Sequence, residues 1–158
     1  MKSFQSILEG KGIRASFHRL KILEYLDKNR VHPTVDNIYA ALVKSVPTIS
    51  KTTIYNTLKL FVDNGLVSDL TISGYDVKYD GEVRPHSHFL CKECGEVFDV
   101  EDLNCPHLAS EVEGHQVEEI HLYFKGVCEK CSRRSASQAD KLARLRASPT
   151  RKKRGKKK

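Results

Sequence analysis

Two Cys-x-x-Cys pairs, Cys91/Cys94 and Cys128/Cys131, are the residues of this sequence best spaced for chemistry. A two-residue gap lets both thiolates of a pair reach one ion. Four thiolates then close a tetrahedral zinc shell with no open position, the arrangement of a structural site. The competing reading of such a pair is a redox dithiol. A fifth cysteine, Cys105, stands apart and reads as a partly buried free thiol. Just ahead of the first pair lies His86-x-His88. Positions i and i+2 of an extended chain share a face, so both rings can reach one ion. The zinc already has four thiolates, which implies a second ion. Asp80 and Asp99 lie within reach in sequence and offer oxygen ligands. Mixed nitrogen and oxygen donors suit Fe²⁺, Mn²⁺ or Zn²⁺. The bland alternative is a set of ordinary surface residues, and that is the reading for His18, His107 and His115.

The elements that must position these residues fall into two sets. The first set is helical. Phe4, Ile7 and Leu8 mark a short amphipathic helix that stops near Gly10. Ser16 can cap a second helix with Leu20, Leu23 and Leu26 on its buried face. Thr34, after the break at His32-Pro33, can cap a third with Ile38, Ala41 and Leu42 inward. Ser50 can cap a fourth with Ile54, Leu58, Phe61 and Val62 inward, ended by Gly65. Leu70 and Ile72, then Tyr75, Val77 and Tyr79, alternate about Ser73-Gly74 as a hairpin. Helix, turn, helix and hairpin make a winged helix-turn-helix.

After Gly81 the character changes, which divides the chain into 1–81, 82–134 and a tail, 135–158. Phe89–Cys91 and Val97–Val100 read as strands around Cys94-Gly95, residues 104–113 as a helix begun at Pro106 and ended before Gly114, and Val117–Phe124 as a strand. The fold class is therefore α+β: a winged helix-turn-helix domain and a small α/β domain with a four-cysteine zinc site. A domain of some fifty residues gains from such a staple. The tail, with few large apolar side chains beyond Leu142 and Leu145, is expected to be disordered, with a frayed helix at 137–147.

Charge follows the same division. Residues 1–81 hold 11 Lys/Arg and 8 Asp/Glu, residues 82–135 hold 6 and 11, and residues 136–158 hold 10 and 1, so the net charges are +3, −5 and +9. The chain's excess of +7 thus belongs to the tail, and the pI near 9.2 says little about the body. The tail suits non-specific, salt-sensitive attraction to DNA, or simply keeps the protein in solution. With no membrane-length apolar run and no secretory core near the N-terminus, a cytoplasmic protein is expected.

Four motifs then carry a resemblance: His32-Pro33-Thr34-x-x-x-Ile38-Tyr39, Thr53-Ile54-Tyr55-Asn56-x-Leu58, His86-x-His88-x-x-Cys91-x-x-Cys94-Gly95 and Gly126-x-Cys128-x-x-Cys131. From about residue 5 to 132 the chain resembles the ferric uptake regulator family, and most closely its peroxide-sensing branch, the PerR-type repressors. The resemblance implies a homodimer, structural zinc on Cys91, Cys94, Cys128 and Cys131, and a regulatory Fe²⁺ or Mn²⁺ site of His32, Asp80, His86, His88 and Asp99. Spacing alone includes neither His32 nor Asp80. Asp99, where iron and zinc sensors usually carry Glu, and Asn56, where iron sensors more often carry Arg, favour the peroxide branch. Two departures stand out. Ser16-Phe17-His18-Arg19 replaces the usual Thr-Pro-Gln-Arg. An additional sensor site of many members needs Glu where this chain has Pro106 and His where it has Ile120; His121 is one position off and is expected on the other sheet face.

The implied function is a metal-dependent DNA-binding repressor, not an enzyme, that releases DNA when peroxide oxidises its own ligands His32 and His86 through bound Fe²⁺. A dimer of this kind would read an inverted repeat in double-stranded DNA. With Ile54, Leu58 and Phe61 inward, Thr52, Tyr55, Asn56 and Lys59 face the major groove, and Arg14, Arg19 and Lys51 are candidates for phosphates. Two rivals remain: an iron- or manganese-responsive repressor without peroxide chemistry, and a zinc enzyme such as a deaminase. The latter needs an open zinc position and a His-x-Glu motif, whereas this chain has His-x-His.

Overall fold

The computed structural model of this protein describes residues 3–72, 76–84, 86–101, 110–118 and 120–135. Its first half is built on four helices: α1 (Phe4–Gly10), α2 (Phe17–Lys28), α3 (Val35–Leu42) and α4 (Lys51–Asp63). Each begins at a hydroxyl cap. Ser3, Ser16, Thr34 and Ser50 accept from the backbone N–H three residues on. Each cap thus satisfies a donor that the helix itself leaves unpaired. Ile22, Leu26, Ile38, Ile54, Leu58 and Phe61 are buried at the centre of the helical core. The helices match the sequence expectation closely, with small corrections to their faces. Ala41 is exposed, because the i, i+4 pair Ile38 and Leu42 carries the buried stripe of α3 and Ala41 sits at its edge. Leu20 is only half-buried, and Ile22 takes the central place.

The wing consists of β1 (Ser68–Leu70) and β2 (Lys78–Asp80), antiparallel with Leu70 opposite Lys78. The turn expected at Ser73-Gly74 lies outside the described residues, as do Cys105, His107, the start of the expected helix at 104–113, and the tail from 136. Leu70 and Ile72 turn away from the helices and pack with Val97, Leu90 and Tyr123 of the second half. The Tyr79 N–H also donates to the Pro33 carbonyl at 3.0 Å, tying the wing to the turn between α2 and α3.

The second half carries a three-stranded sheet in the order β4-β3-β7, with β3 (Ser87–Cys91), β4 (Val97–Val100) and β7 (Tyr123–Gly126). Strands β3 and β4 are antiparallel, and β3 and β7 are parallel. Gly126 lies so close to Phe89 that a Cβ there would sit 3.1 Å from the ring. The end of the expected helix is instead a hairpin of β5 (Glu111–Val112) and β6 (His115–Gln116). Glu113 and Gly114 between them have φ of +50° and +83°, as a two-residue hairpin turn of the I′ type requires. A glycine after an apolar run serves a helix end and such a turn equally well, so the sequence alone misassigned it. The strand expected over Val117–Phe124 begins only at Tyr123 and runs to Gly126. Residues 129–135 are helical, which the sequence reading did not anticipate.

Candidate metal centres and the helix-turn-helix face

Alternation along β3 sends chemistry to both sides of the sheet. Phe89 and Cys91 face one side, with Phe98, Cys128 and Cys131. His88 and Leu90 face the other, with Asp99, Val97 and Tyr123 as their cross-strand partners. The two pairs of cysteines meet because β3 and β7 run parallel in register, with Cys91 opposite Gly126.

The four Sγ atoms lie within 4.8 Å of one another, and Cys94 and Cys128 are 3.9 Å apart. Zinc–sulfur bonds of about 2.3 Å in a tetrahedron place sulfurs about 3.8 Å apart, so this donor set fits zinc. The Cys128 N–H donates to Cys91 Sγ at 3.3 Å. That bond and a second backbone N–H, from Cys94, pull the Cys91 thiol down to about 6. Burial and the neighbouring thiols push Cys131 up to about 12. Sulfurs this close cannot all carry charge without a counter-ion, and a divalent cation supplies it. The cluster satisfies the zinc reading better than the redox one, because all four sulfurs converge rather than two.

The second cluster gathers His32, Asp80, His86, His88 and Asp99, with one donor atom from each again within 4.8 Å of the others. His32 comes from the α2–α3 turn and Asp80 from the end of β2. His86 and His88 come from the approach to β3 and from β3 itself, and Asp99 comes from β4. His32 Nε2 is 2.8 Å from Asp99 Oδ1 and 4.0 Å from Asp80 Oδ2. His86 Nε2 is 3.1 Å from Asp80 Oδ2 and 3.2 Å from Asp99 Oδ1. For His88 Nε2 these distances are 3.3 and 3.8 Å. Metal bonds of about 2.1 Å place adjacent octahedral donors about 3.0 Å apart and opposite ones about 4.2 Å apart. The observed distances, from 2.8 to 4.0 Å, lie close to that range, with His32–Asp99 slightly tighter.

The protons are arranged for a cation. His32 Nδ1 donates to the Val97 carbonyl at 3.3 Å, and His86 Nδ1 donates to the Arg84 carbonyl at 2.7 Å. A carbonyl can only accept, so in a neutral ring each Nε2 is left with its lone pair aimed inward. Burial lowers the pKa of His32 and favours its neutral form, although Asp99 and Asp80 oppose this. Its Nε2 is the one buried side-chain nitrogen or oxygen without a hydrogen bond among the described residues. A lone pair 2.8 Å from a carboxylate oxygen is repulsive unless a cation lies between. Burial works to raise the Asp80 carboxyl, but hydrogen bonds from His88 and the Glu82 N–H outweigh it and hold the group low. That N–H occupies Oδ1 at 2.8 Å and leaves Oδ2 for the cluster. His86 is raised: burial opposes its protonation, and the Arg84 carbonyl and two carboxylates overcome it. The His32 backbone is left-handed, φ +49°, a strained conformation of the kind found at functional positions.

A cavity of about 630 Å³ opens onto Asp80, His86 and His88, with the end of α4, the wing, and Val117, Glu118, Ile120 and His121 among its other walls. Ile120 and His121 both line it, so His121 is not turned away from Ile120 as expected. Both precede β7, where strand alternation does not apply.

On the helix-turn-helix, Thr52, Tyr55, Asn56 and Lys59 are exposed along α4, as the helical period required. Arg14 is exposed and Arg19 half-buried, its guanidinium donating to the Arg14 carbonyl at 2.7 Å. Lys51 is paired with Asp36 at 2.8 Å, and Lys59 pairs with Asp63 at 3.2 Å. Both pairs are exposed and weak, so neither withholds its lysine from a phosphate. No described helix is long and apolar enough to cross a membrane.

A winged helix joined to a metal-binding sheet defines a metal-responsive transcription regulator rather than an enzyme. The family model described as the Ferric uptake regulator family matches residues 10–125, and the chain belongs to that family. It is 35% identical over 137 residues to the "Peroxide operon regulator" of Bacillus subtilis (strain 168), covering 85% of this chain and 94% of that protein. It is 37% identical over 127 residues to the "Peroxide-responsive repressor PerR" of Staphylococcus aureus (strain Mu50), covering 78% and 86%. The crystal structure of the Vibrio cholerae ferric uptake regulator superposes with a TM-score of 0.66 at 27% identity, covering 78% of this chain and 98% of that one.

Proposed function

We propose that this chain is a cytoplasmic, homodimeric repressor that binds inverted-repeat DNA when its His/Asp site holds Fe²⁺ or Mn²⁺, and releases it when hydrogen peroxide oxidises that site. Residues 1–81 form the DNA-binding domain, residues 82–134 the metal-binding dimerisation domain, and the basic tail adds salt-sensitive attraction to DNA. Cys91, Cys94, Cys128 and Cys131 hold structural zinc. His32, Asp80, His86, His88 and Asp99 hold the regulatory ion. Thr52, Tyr55, Asn56 and Lys59 enter the major groove, and Arg14, Arg19 and Lys51 meet phosphates.

One observation carries the reading. The His32 Nε2 lone pair, from the helical half, faces Asp99 of the sheet across 2.8 Å with no hydrogen bond between them. A cation shared by these residues favours whichever arrangement of the halves presents all five donors. A preference of about a hundredfold for that arrangement corresponds to about 2.7 kcal/mol. Names of the two bacterial relatives support peroxide as the signal, as do Asp99 and Asn56. Bound Fe²⁺ would supply the reducing centre that cleaves the O–O bond. Over the whole step the ring of His32 or His86 gains one oxygen atom from hydrogen peroxide, and the other leaves as water. His86 borders the cavity, which offers a small oxidant a path inward. An oxidised ring is a poorer ligand, and its loss unties the halves.

The test is mass spectrometry of the Fe²⁺-loaded protein after peroxide, with the Mn²⁺-loaded protein alongside. The expected result is one added oxygen on the peptide carrying His32 or His86 with Fe²⁺, none with Mn²⁺, and loss of DNA binding in step. DNA release without any oxidised histidine would leave a metal-responsive repressor without this chemistry.

A further inference from the structure

The start of α2 presents two side chains, Phe17 and His18, that the proposed function leaves unused beside its cap Ser16 and its cation Arg19. Phe17 is 59% exposed. A lone exposed ring means little, but this one is braced. The His18 ring packs edge-on against it, centroids 6.0 Å apart at 66°. His18 Nε2 is in turn 3.1 Å from the Thr48 hydroxyl, in the turn between α3 and α4. His18 thereby links Phe17 to the turn between α3 and α4. Between the start of α2 and α4 runs a groove of about 270 Å³, lined by Ser16, His18, Arg19, Thr53, Asn56 and Thr57. Asn56 also belongs to the outward face of α4, so groove and face are continuous.

We propose that Phe17 and His18 form a second DNA-contacting shoulder beside the groove that α4 enters. Phe17 lies against the sugar edges of one DNA strand, and His18 is the positioning residue that holds it there through Thr48. The groove lining argues for DNA as the occupant. It offers hydroxyls, an amide, an imidazole and a guanidinium, and no carboxylate, which is the donor set that meets phosphates. A strand whose phosphates follow that lining presents its deoxyribose carbons to a neighbouring apolar ring.

The inference rests on the DNA-binding reading, and the test separates the two. The full-length, zinc-containing, Mn²⁺-loaded wild type enriches duplexes from a random pool, and the enriched duplex is titrated by fluorescence anisotropy. Phe17→Ala is expected to weaken binding about tenfold, the scale of one lost aromatic contact. Its salt slope should not change, because no charge is removed. His18→Ala should weaken binding several-fold. His18→Gln, whose amide can still bond Thr48, should recover most of that loss. Hydroxyl-radical footprinting should lose protected sugars at the flank with Phe17→Ala and keep them with His18→Gln. Phe17→Ala binding within about twofold of wild type would overturn the shoulder alone. Failure of the wild type to enrich any duplex would overturn the DNA-binding reading and the shoulder with it.

Discussion

The two ligand clusters share a strand and differ in everything else. Cys91 ends β3 and His88 stands three residues earlier, an odd separation that puts them on opposite faces of the sheet. The cysteine face closes within the second half: one Cys pair begins at the end of β3, the other follows β7, its neighbour in the sheet, and among the described residues no donor comes from elsewhere. The histidine face is completed only when His32 and Asp80 arrive from the helical half and the wing. A shell confined to one half can stabilise that half but cannot report where the other one lies. A shell split between halves makes occupancy and relative position a single variable, because an ion can bias only an arrangement it binds better.

The contrast can be broken or sharpened in order of expected effect. Cys91→Ser should do most damage: zinc falls from about one ion per chain to none, and the small second half unfolds with it. Elemental analysis with circular dichroism checks this, and a folded, zinc-free variant would remove the structural role. His32→Asn comes next. Asn tolerates the left-handed backbone at this position, so the fold should survive. Mn²⁺ affinity should nevertheless fall well beyond about tenfold, with zinc content unchanged. A mild chelator should separate the clusters in the wild type, stripping Mn²⁺ and abolishing DNA binding while zinc stays; joint loss of both metals would erase the distinction. The smallest effect is the most informative. Leu70 is not one of the five ligand residues yet packs the wing onto the sheet beside Val97, whose carbonyl accepts from His32. Leu70→Ala should cost about 2–3 kcal/mol of packing and weaken Mn²⁺ binding a few-fold, read by calorimetry. Unchanged Mn²⁺ affinity would mean that the apolar contact and the ligand cluster do not act together.

Much of this was legible in the residues. The caps Ser16, Thr34 and Ser50 with the periodic rows behind them placed three helices, and Phe4, Ile7 and Leu8 marked the first, whose cap Ser3 the structure added, since capping and amphipathicity are decided within a turn or two. Cys-x-x-Cys and His-x-His were legible for the same reason: two ligands on one short segment share one ion whatever the rest of the chain does. Other signals misled where one residue serves two structures. Gly114 suits a helix end and a hairpin turn alike, and the alternation through Ile120 was read as strand in a segment that joins the sheet only at Tyr123.

What the sequence determined by itself, then, is local: four helices, three of them with their caps, thiolate pairs spaced for zinc, and an imidazole pair ahead of them. The resemblance added His32 and Asp80 to a ligand set that spacing could not complete. Tertiary structure alone decided that His32 sits 2.8 Å from Asp99, that the wing lends Leu70 and Ile72 to the sheet's core, and that β3 divides the two clusters between its faces. Those facts depend on how one half docks on the other. Docking is set by contacts between residues far apart in the chain, which no local spacing records.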